Sequence, residues 1–320
     1  MRKSCAHFAV LFALACELTE PLRARGEGGQ ATWLQATCDD TPGCDNAGIC
    51  LTDNHGNCKT PGTLFQWSGY ASEEGGPDLS SPLVTDRPDF TEASSTVGRG
   101  VSQIEFGYTY VYDDDGATTV REHSFGEPLL RQGVFADWLE FRIAVAPLEE
   151  RTSAAGSTSS KSGVSDLYLG FKIGLTPQVC WLPEMAVIPQ WNVPTGSDAF
   201  SSDEVEPGLN WIYGWEINDF LSTAGSTQGN RRLDDTGEAY LEMAQSWTVA
   251  YSLTDNLGAY TEWFGIFPSG ADTARVENYF NGGFTYLFTD NLQFDIRAGV
   301  GLNDSAADYF LGSGLSVRIP

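Results

Sequence analysis

Ten charged residues stand where chemistry could be done, and all sit in one kind of setting. Glu105, Glu140, Arg142, Asp166, Lys172, Glu242, Glu262, Asp295, Arg297 and Arg318 fall within runs whose alternate residues are apolar. In "LQFDIRAGVGLN" (292–303), Leu292, Phe294, Ile296, Ala298, Val300 and Leu302 share one face. Gln293, Asp295, Arg297, Gly299, Gly301 and Asn303 share the other, because successive side chains of a strand point to opposite sides. Acids and bases placed once or twice per strand suit ion pairing across a wall or contact with a passing solute. They do not suit catalysis. No phosphate-binding loop, metal-ligand run or nucleophile elbow is present. Of the three histidines, only His123 lies in a strand-like run, and its neighbour Ser124 must face the other way. That geometry is poor for a serine activated by histidine. His123 reads as a solvated residue near a loop, the chain as a non-enzyme, and no metal or cofactor is expected.

A second set is Cys38, Cys44, Cys50 and Cys58, within "CDDTPGCDNAGICLTDNHGNC". Four cysteines among turn residues in an exported chain read as two disulfides of undetermined connectivity. Zinc, with His55 nearby, is the alternative, but no C-x-x-C pair supports it. Cys180 is left without an evident partner. Export is indicated by "MRKSCAHFAVLFALACELTE": a basic start, a short apolar core and Ala13-Leu14-Ala15 read as a signal peptide over 1–15. Cleavage there leaves Cys16 at the new N-terminus, a position where lipidation is conceivable.

The elements that must position the charges begin near residue 100. Residues 16–100 are polar and rich in Gly, Pro and Ser, and read as a Cys-rich, largely irregular periplasmic extension. From Val101 to the C-terminus, twelve strand-like runs follow: 101–112, 118–132, 137–148, 164–175, 183–195, 207–217, 219–227, 238–253, 256–267, 276–288, 291–302 and 308–319. The fifth, broken by Pro189, and the polar seventh are the weakest. Connections alternate in length. "FAD", "IND", "LTDN" and "FTDN" are short; "DDDGA", "EERTSAAGSTSSKSG" (149–163), "TGSDAFSSDEVE", "GNRRLDDTGE" (229–238), "SGADTAR" and "NDSAAD" are longer and polar. An even number of strands with short turns on one rim and long loops on the other predicts an all-β fold, an antiparallel transmembrane β-barrel over 101–320 in the outer membrane.

Composition bounds the partners. A net charge of -25 argues against nucleic acid, which needs basic clusters. A soluble secreted β-protein would put the apolar faces inside. Against it stand apolar faces rich in Phe, Tyr and Trp, the strand number, and charges too sparse for a wet exterior. In the membrane reading the apolar faces meet outer-membrane lipid, and the ten charged residues line a narrow lumen. Tyr108, Tyr110, Trp181, Trp215, Trp247 and Tyr251 then form interfacial girdles.

The segments "TDRPDFTEASSTVGRGVSQIEFGYTYVYDDD", "EPLLRQGVFADWLEFRI", "GVSDLYLGFKIGL", "NVPTGS", "YFNGGFTYLFTDNLQFDIRAGVGLN" and "DYFLGSGLSVRIP" resemble the outer-membrane family named for the meta-pathway of phenol degradation. The likeness runs over about 85–320 and leaves out the cysteine cluster. It implies an outer-membrane barrel connected with uptake of small aromatic compounds. Members commonly end in an aromatic residue that the barrel-insertion machinery reads; this chain ends in Ile319-Pro320. A narrow mixed-charge channel for small molecules is the leading expectation. A structural or adhesive barrel with cation-binding acidic loops, such as Asp113–Asp115, is the alternative.

Overall fold

The computed structural model describes residues 81–178, 181–234 and 236–320, with Leu51–Thr52, Cys58–Lys59, Leu64 and Leu79. The signal peptide, Cys16, Cys38, Cys44, Cys50 and Cys180 lie outside the described residues, and of Cys58 only the backbone is described. A short antiparallel ladder joins β1 (Leu51–Thr52) to β2 (Cys58–Lys59). No helix among the described residues is long and apolar enough to cross a membrane.

Fourteen further strands share one antiparallel sheet. They are β3 (Ser102–Asp114), β4 (Thr118–Gly133), β5 (Leu139–Ala144), β6 (Pro147–Ala154), β7 (Ser157–Val164), β8 (Leu167–Thr176), β9 (Glu184–Val193), β10 (Glu206–Glu216), β11 (Leu221–Leu233), β12 (Ala239–Ser252), β13 (Leu257–Ser269), β14 (Glu277–Thr289), β15 (Leu292–Gly301) and β16 (Tyr309–Ile319). β3 pairs with both β4 and β16, so the sheet closes. Twelve strands form the wall. β6 and β7 prolong the lines of β5 and β8: β4 pairs with β5 through 129–133 and with β6 through 118–124.

Two sequence expectations are corrected. The polar connection 149–163 is a strand hairpin, turning at Ala155 and Gly156 with φ of 49° and 81°. Both of its faces are polar, so it shows no alternation to read. The weak seventh run is longer than its apolar content suggests: β11 continues through Arg231 and Arg232 to Leu233, paired with β12 over its whole length and with β10 as far as Asn230.

The burial pattern is the reverse of a soluble core. Phe294 and Ile296 are 39% and 44% exposed, while Asp295 between them is 0% exposed. Leu209, Trp211, Phe280, Phe284, Val300 and Leu311 also face outward. Gln103, Glu105, Arg131, Glu140, Arg142, Lys172 and Glu262 are fully buried. A sheet that shows its apolar face to the surroundings and hides its charges requires hydrocarbon outside. The outward aromatics form two bands. Trp215 with Trp247 and Phe220 with Tyr251 lie toward the short turns, and Tyr110 and Tyr112 with Tyr309 toward the long loops.

Candidate functional site

What fills the barrel is the chain itself. Residues 83–100, which composition assigned to a periplasmic extension, lie inside the lumen. The segment bonds to strands on opposite sides of a closed wall, which only an interior position permits. Leu83 N–H donates to the Asp290 carbonyl in the β14–β15 turn. Arg318 holds the incoming chain, donating to the Leu79 and Ser81 carbonyls at 3.1 and 2.8 Å. The segment then crosses the lumen and returns to the same rim, where Thr96 bonds Asp137 and Gly100 N–H donates to the Gly133 carbonyl.

Asp86 is the centre of the attachment. One carboxylate oxygen accepts from Lys172 Nζ at 2.7 Å, the other from Arg142 Nη1 at 2.5 Å, and Arg131 Nε lies 3.3 Å away. Its backbone N–H donates to both oxygens of Glu105. Glu140 accepts from Arg131 at 2.8 and 3.0 Å, from Arg142 at 2.9 Å and from the Val97 N–H. Glu92 accepts from Arg142 at 3.0 Å. Three cations thus face four carboxylates, of which all but Glu92 are sealed from water. Isolated charges there would each carry a desolvation penalty of several kcal/mol, and mutual pairing is what makes the burial tolerable.

Two further contacts fix the far side. Glu262 accepts from the Phe90 and Thr91 N–H groups at 2.7 and 2.8 Å, from the Thr91 hydroxyl and from Asn281. Phe90 stacks on Phe264 with centroids 4.5 Å apart. Arg87 pairs with Glu127 at 2.7 Å and Asp295 at 3.4 Å. It lies in a slot between Gly107 and Gly314, which oppose each other across β3 and β16; a Cβ on either would overlap the guanidinium. Arg297 donates to the Pro88 carbonyl and to Thr109, and lies over the Phe310 ring.

Of the ten sequence candidates, Glu105, Glu140, Arg142, Lys172, Glu262, Asp295, Arg297 and Arg318 therefore all touch the inserted segment or anchor it. Asp166 and Glu242 do not. Asp166, between β7 and β8, accepts from Gly196 and Ser202 of the β9–β10 loop. Glu242 pairs with Arg232, which also pairs with Glu206 at 2.7 Å. These residues belong to the half of the lumen nearer the long loops. There, Glu127, Asp166, Tyr168, Phe200, Glu206 and Arg232 line a cleft of about 340 Å³. A second cleft, of about 280 Å³, lies against the inserted segment, and Glu127 borders both.

Sequence reasoning missed Asp86, Arg87, Glu92, Glu127 and Arg131. The first three lie in an aperiodic segment, and their only signal is that the family resemblance starts at Thr85, ahead of the first strand. The other two are hidden by a bulge. Between Glu105 and Gly107 the β3–β4 register shifts by one residue. Gly126 and Glu127 there take φ of 70° and 35°. Alternation read from Arg121, His123 and Phe125 would put Arg131 outside; the inserted residue turns it in. His123 is also corrected. It is not a solvated loop residue: it sits on the outward face, bonded to the Tyr108 hydroxyl at 2.8 Å and stacked on Phe125.

A closed wall, apolar without and charged within, defines an outer-membrane β-barrel. The chain belongs to the family described as "Putative MetA-pathway of phenol degradation", whose model matches residues 85–319. Among solved structures it is similar to an outer-membrane channel from Pseudomonas putida F1, at 14% identity and a TM-score of 0.57, covering 71% of this chain and 98% of that one. It is more distantly similar to the transport unit of the autotransporter AIDA-I from Escherichia coli, at 10% identity and a TM-score of 0.48, covering 69% and 89%. No curated protein matches the sequence.

Proposed function

We propose that the chain is a gated channel for small molecules, held closed in this conformation by residues 83–100. The observation that carries this reading is the way the segment is held. It lies inside a closed barrel on ion pairs and hydrogen bonds, with Phe90 its one stacked ring. Polar contacts of this kind exchange for water when a segment withdraws, whereas a continuous apolar core would not. Both rim types fit the usual orientation, with short turns and chain ends toward the periplasm and long loops outward.

Small aromatic compounds are the solute class this reading favours. The family description supports it, and so do Tyr168, Phe200 and Val145 in the outer cleft. The ion pairs then serve as the latch and the outer cleft as the waiting site. The reading includes removal of residues 1–15, two disulfides among Cys38, Cys44, Cys50 and Cys58 on the periplasmic side, and assembly by the barrel-insertion machinery.

The completeness of the Asp86 network favours one rival, a permanently sealed structural barrel. Proteoliposomes carrying the full chain separate the two. Uptake of a radiolabelled phenol above protein-free vesicles, raised by Asp86→Ala, supports the channel. No uptake by either protein overturns it.

A further inference from the structure

We propose that the outer wall at β4 and β6 binds the phosphate groups of an outer-leaflet glycolipid through Arg121 and Arg151. The two residues are direct cross-strand partners on the outward face. Like charges placed opposite each other in an antiparallel pair repel, and no carboxylate among the described residues forms an ion pair with either guanidinium. Glu149 shares the face, but it stands opposite His123, one pair further along. Two arginines side by side with no carboxylate are unusual in a chain of net charge -25, where Arg131, Arg142 and Lys172 inside the wall and Arg231 and Arg232 near the long loops all face carboxylates.

Height selects the partner. Arg151 lies twelve residues past Leu139, the first residue of β5, and Arg121 twelve residues before Gly133, the last of β4. At ~3.3 Å per residue and a tilt of roughly 40°, both stand about 30 Å above the short-turn end, the depth of a bilayer's hydrocarbon core. The outward aromatic band agrees. Tyr112 pairs in register with Arg121 on one side and Tyr309 on the other, and Arg121 lies 5.3 Å from the Tyr112 ring centroid. Aromatic belts mark the headgroup level. The guanidiniums therefore project where lipid phosphates lie. Guanidinium forks match phosphate oxygens two at a time, and an anion between them turns the repulsion of the pair into attraction for the ligand. Ser160, opposite Arg151 on β7, offers a hydroxyl beside them.

The site is independent of what passes through the lumen, so its test leaves the channel reading untouched. The probes are bis-phosphorylated lipid A, the same lipid stripped of both phosphates, and inorganic phosphate, each titrated against the full chain in detergent. Native mass spectrometry reads the affinity. The wild type should bind the phosphorylated lipid at least tenfold more tightly than the stripped one, and Arg121→Gln/Arg151→Gln should abolish that difference. Arg151→Glu supplies a cross-strand carboxylate for Arg121. It should therefore fold to a heat-modifiable barrel at least as stable as the wild type and still lose the preference. Unchanged preference in both variants, or equal binding of the two lipids by the wild type, would overturn the site. Inorganic phosphate competing at concentrations equal to the lipid would overturn the lipid assignment.

Discussion

The two halves of the lumen handle charge in opposite ways. Toward the short turns, Asp86, Glu105, Glu140 and Glu92 meet Arg131, Arg142 and Lys172, all within hydrogen-bonding reach and nearly all sealed from water. Toward the long loops, acids outnumber bases. Glu122 stands opposite Glu150, Glu206 and Glu242 share the single Arg232, and Asp113, Asp234 and Asp272 crowd the rim. The closed half gives each of its carboxylates a cation or N–H donors because nothing else solvates it. The half nearer the long loops opens into a cleft, so its surplus carboxylates need no cation of their own. In the proposed channel the same chemistry serves a latch in one place and a cation-attracting vestibule in the other.

Breaking the latch should give the largest effect. Asp86→Leu leaves three buried cations short of their shared carboxylate, a loss of about 3–5 kcal/mol. Chymotrypsin should then cut after Phe90, held inside against Phe264 in the wild type, at least a hundredfold faster than in the wild type, with the barrel still heat-modifiable on gels. Next comes Glu262→Ala, which orphans the Phe90 and Thr91 N–H groups and should cost about 1–3 kcal/mol of segment seating, seen in the same proteolysis. Gly314→Ala crowds the Arg87 slot and should cost a similar or smaller amount, about 1–3 kcal/mol; hydrogen exchange at residues 86–90 would report it.

The open half should respond differently. Arg232→Gln removes a partly exposed pair, worth about 1 kcal/mol or less. Its stability should barely move, while the cation-to-anion permeability ratio in planar bilayers rises. The smallest effect concerns Asp234, which caps the β11–β12 loop. The Thr236 hydroxyl and the Asp272, Glu238 and Thr236 N–H groups bind its carboxylate and lower its pKa to about 2. A depressed carboxylate stabilises above its ordinary value of ~3.9. Loop protection against proteolysis should therefore be complete above about pH 4 and be lost only as pH falls toward 2. Asp234→Asn should flatten that dependence.

The wall was legible because lipid outside and polar groups inside impose a strict two-residue period. β15 shows it from Leu292 onward, and its Asp295 lies where alternation put it. The inserted segment was not legible, because its order comes from partners far away in sequence: Asp86 meets Lys172, and Thr91 meets Glu262. Nothing local in "TDRPDFTEASS" marks it as structured. The β6–β7 hairpin was missed for a related reason. Polar residues on both of its faces remove the contrast that reveals a strand. Arg131 was lost to one bulge residue, which inverts every face assignment beyond it.

In the proposed channel residues 83–100 are the gate. Thr91 and Ser246 hydroxyls are 2.6 Å apart, one on the segment and one on the wall, so cysteines at both positions can bridge them. In planar bilayers, Thr91→Cys/Ser246→Cys should conduct poorly when oxidised and regain wild-type openings on reduction. Equal conductance in the two states would show that solutes do not need the segment to move, and would contradict the account.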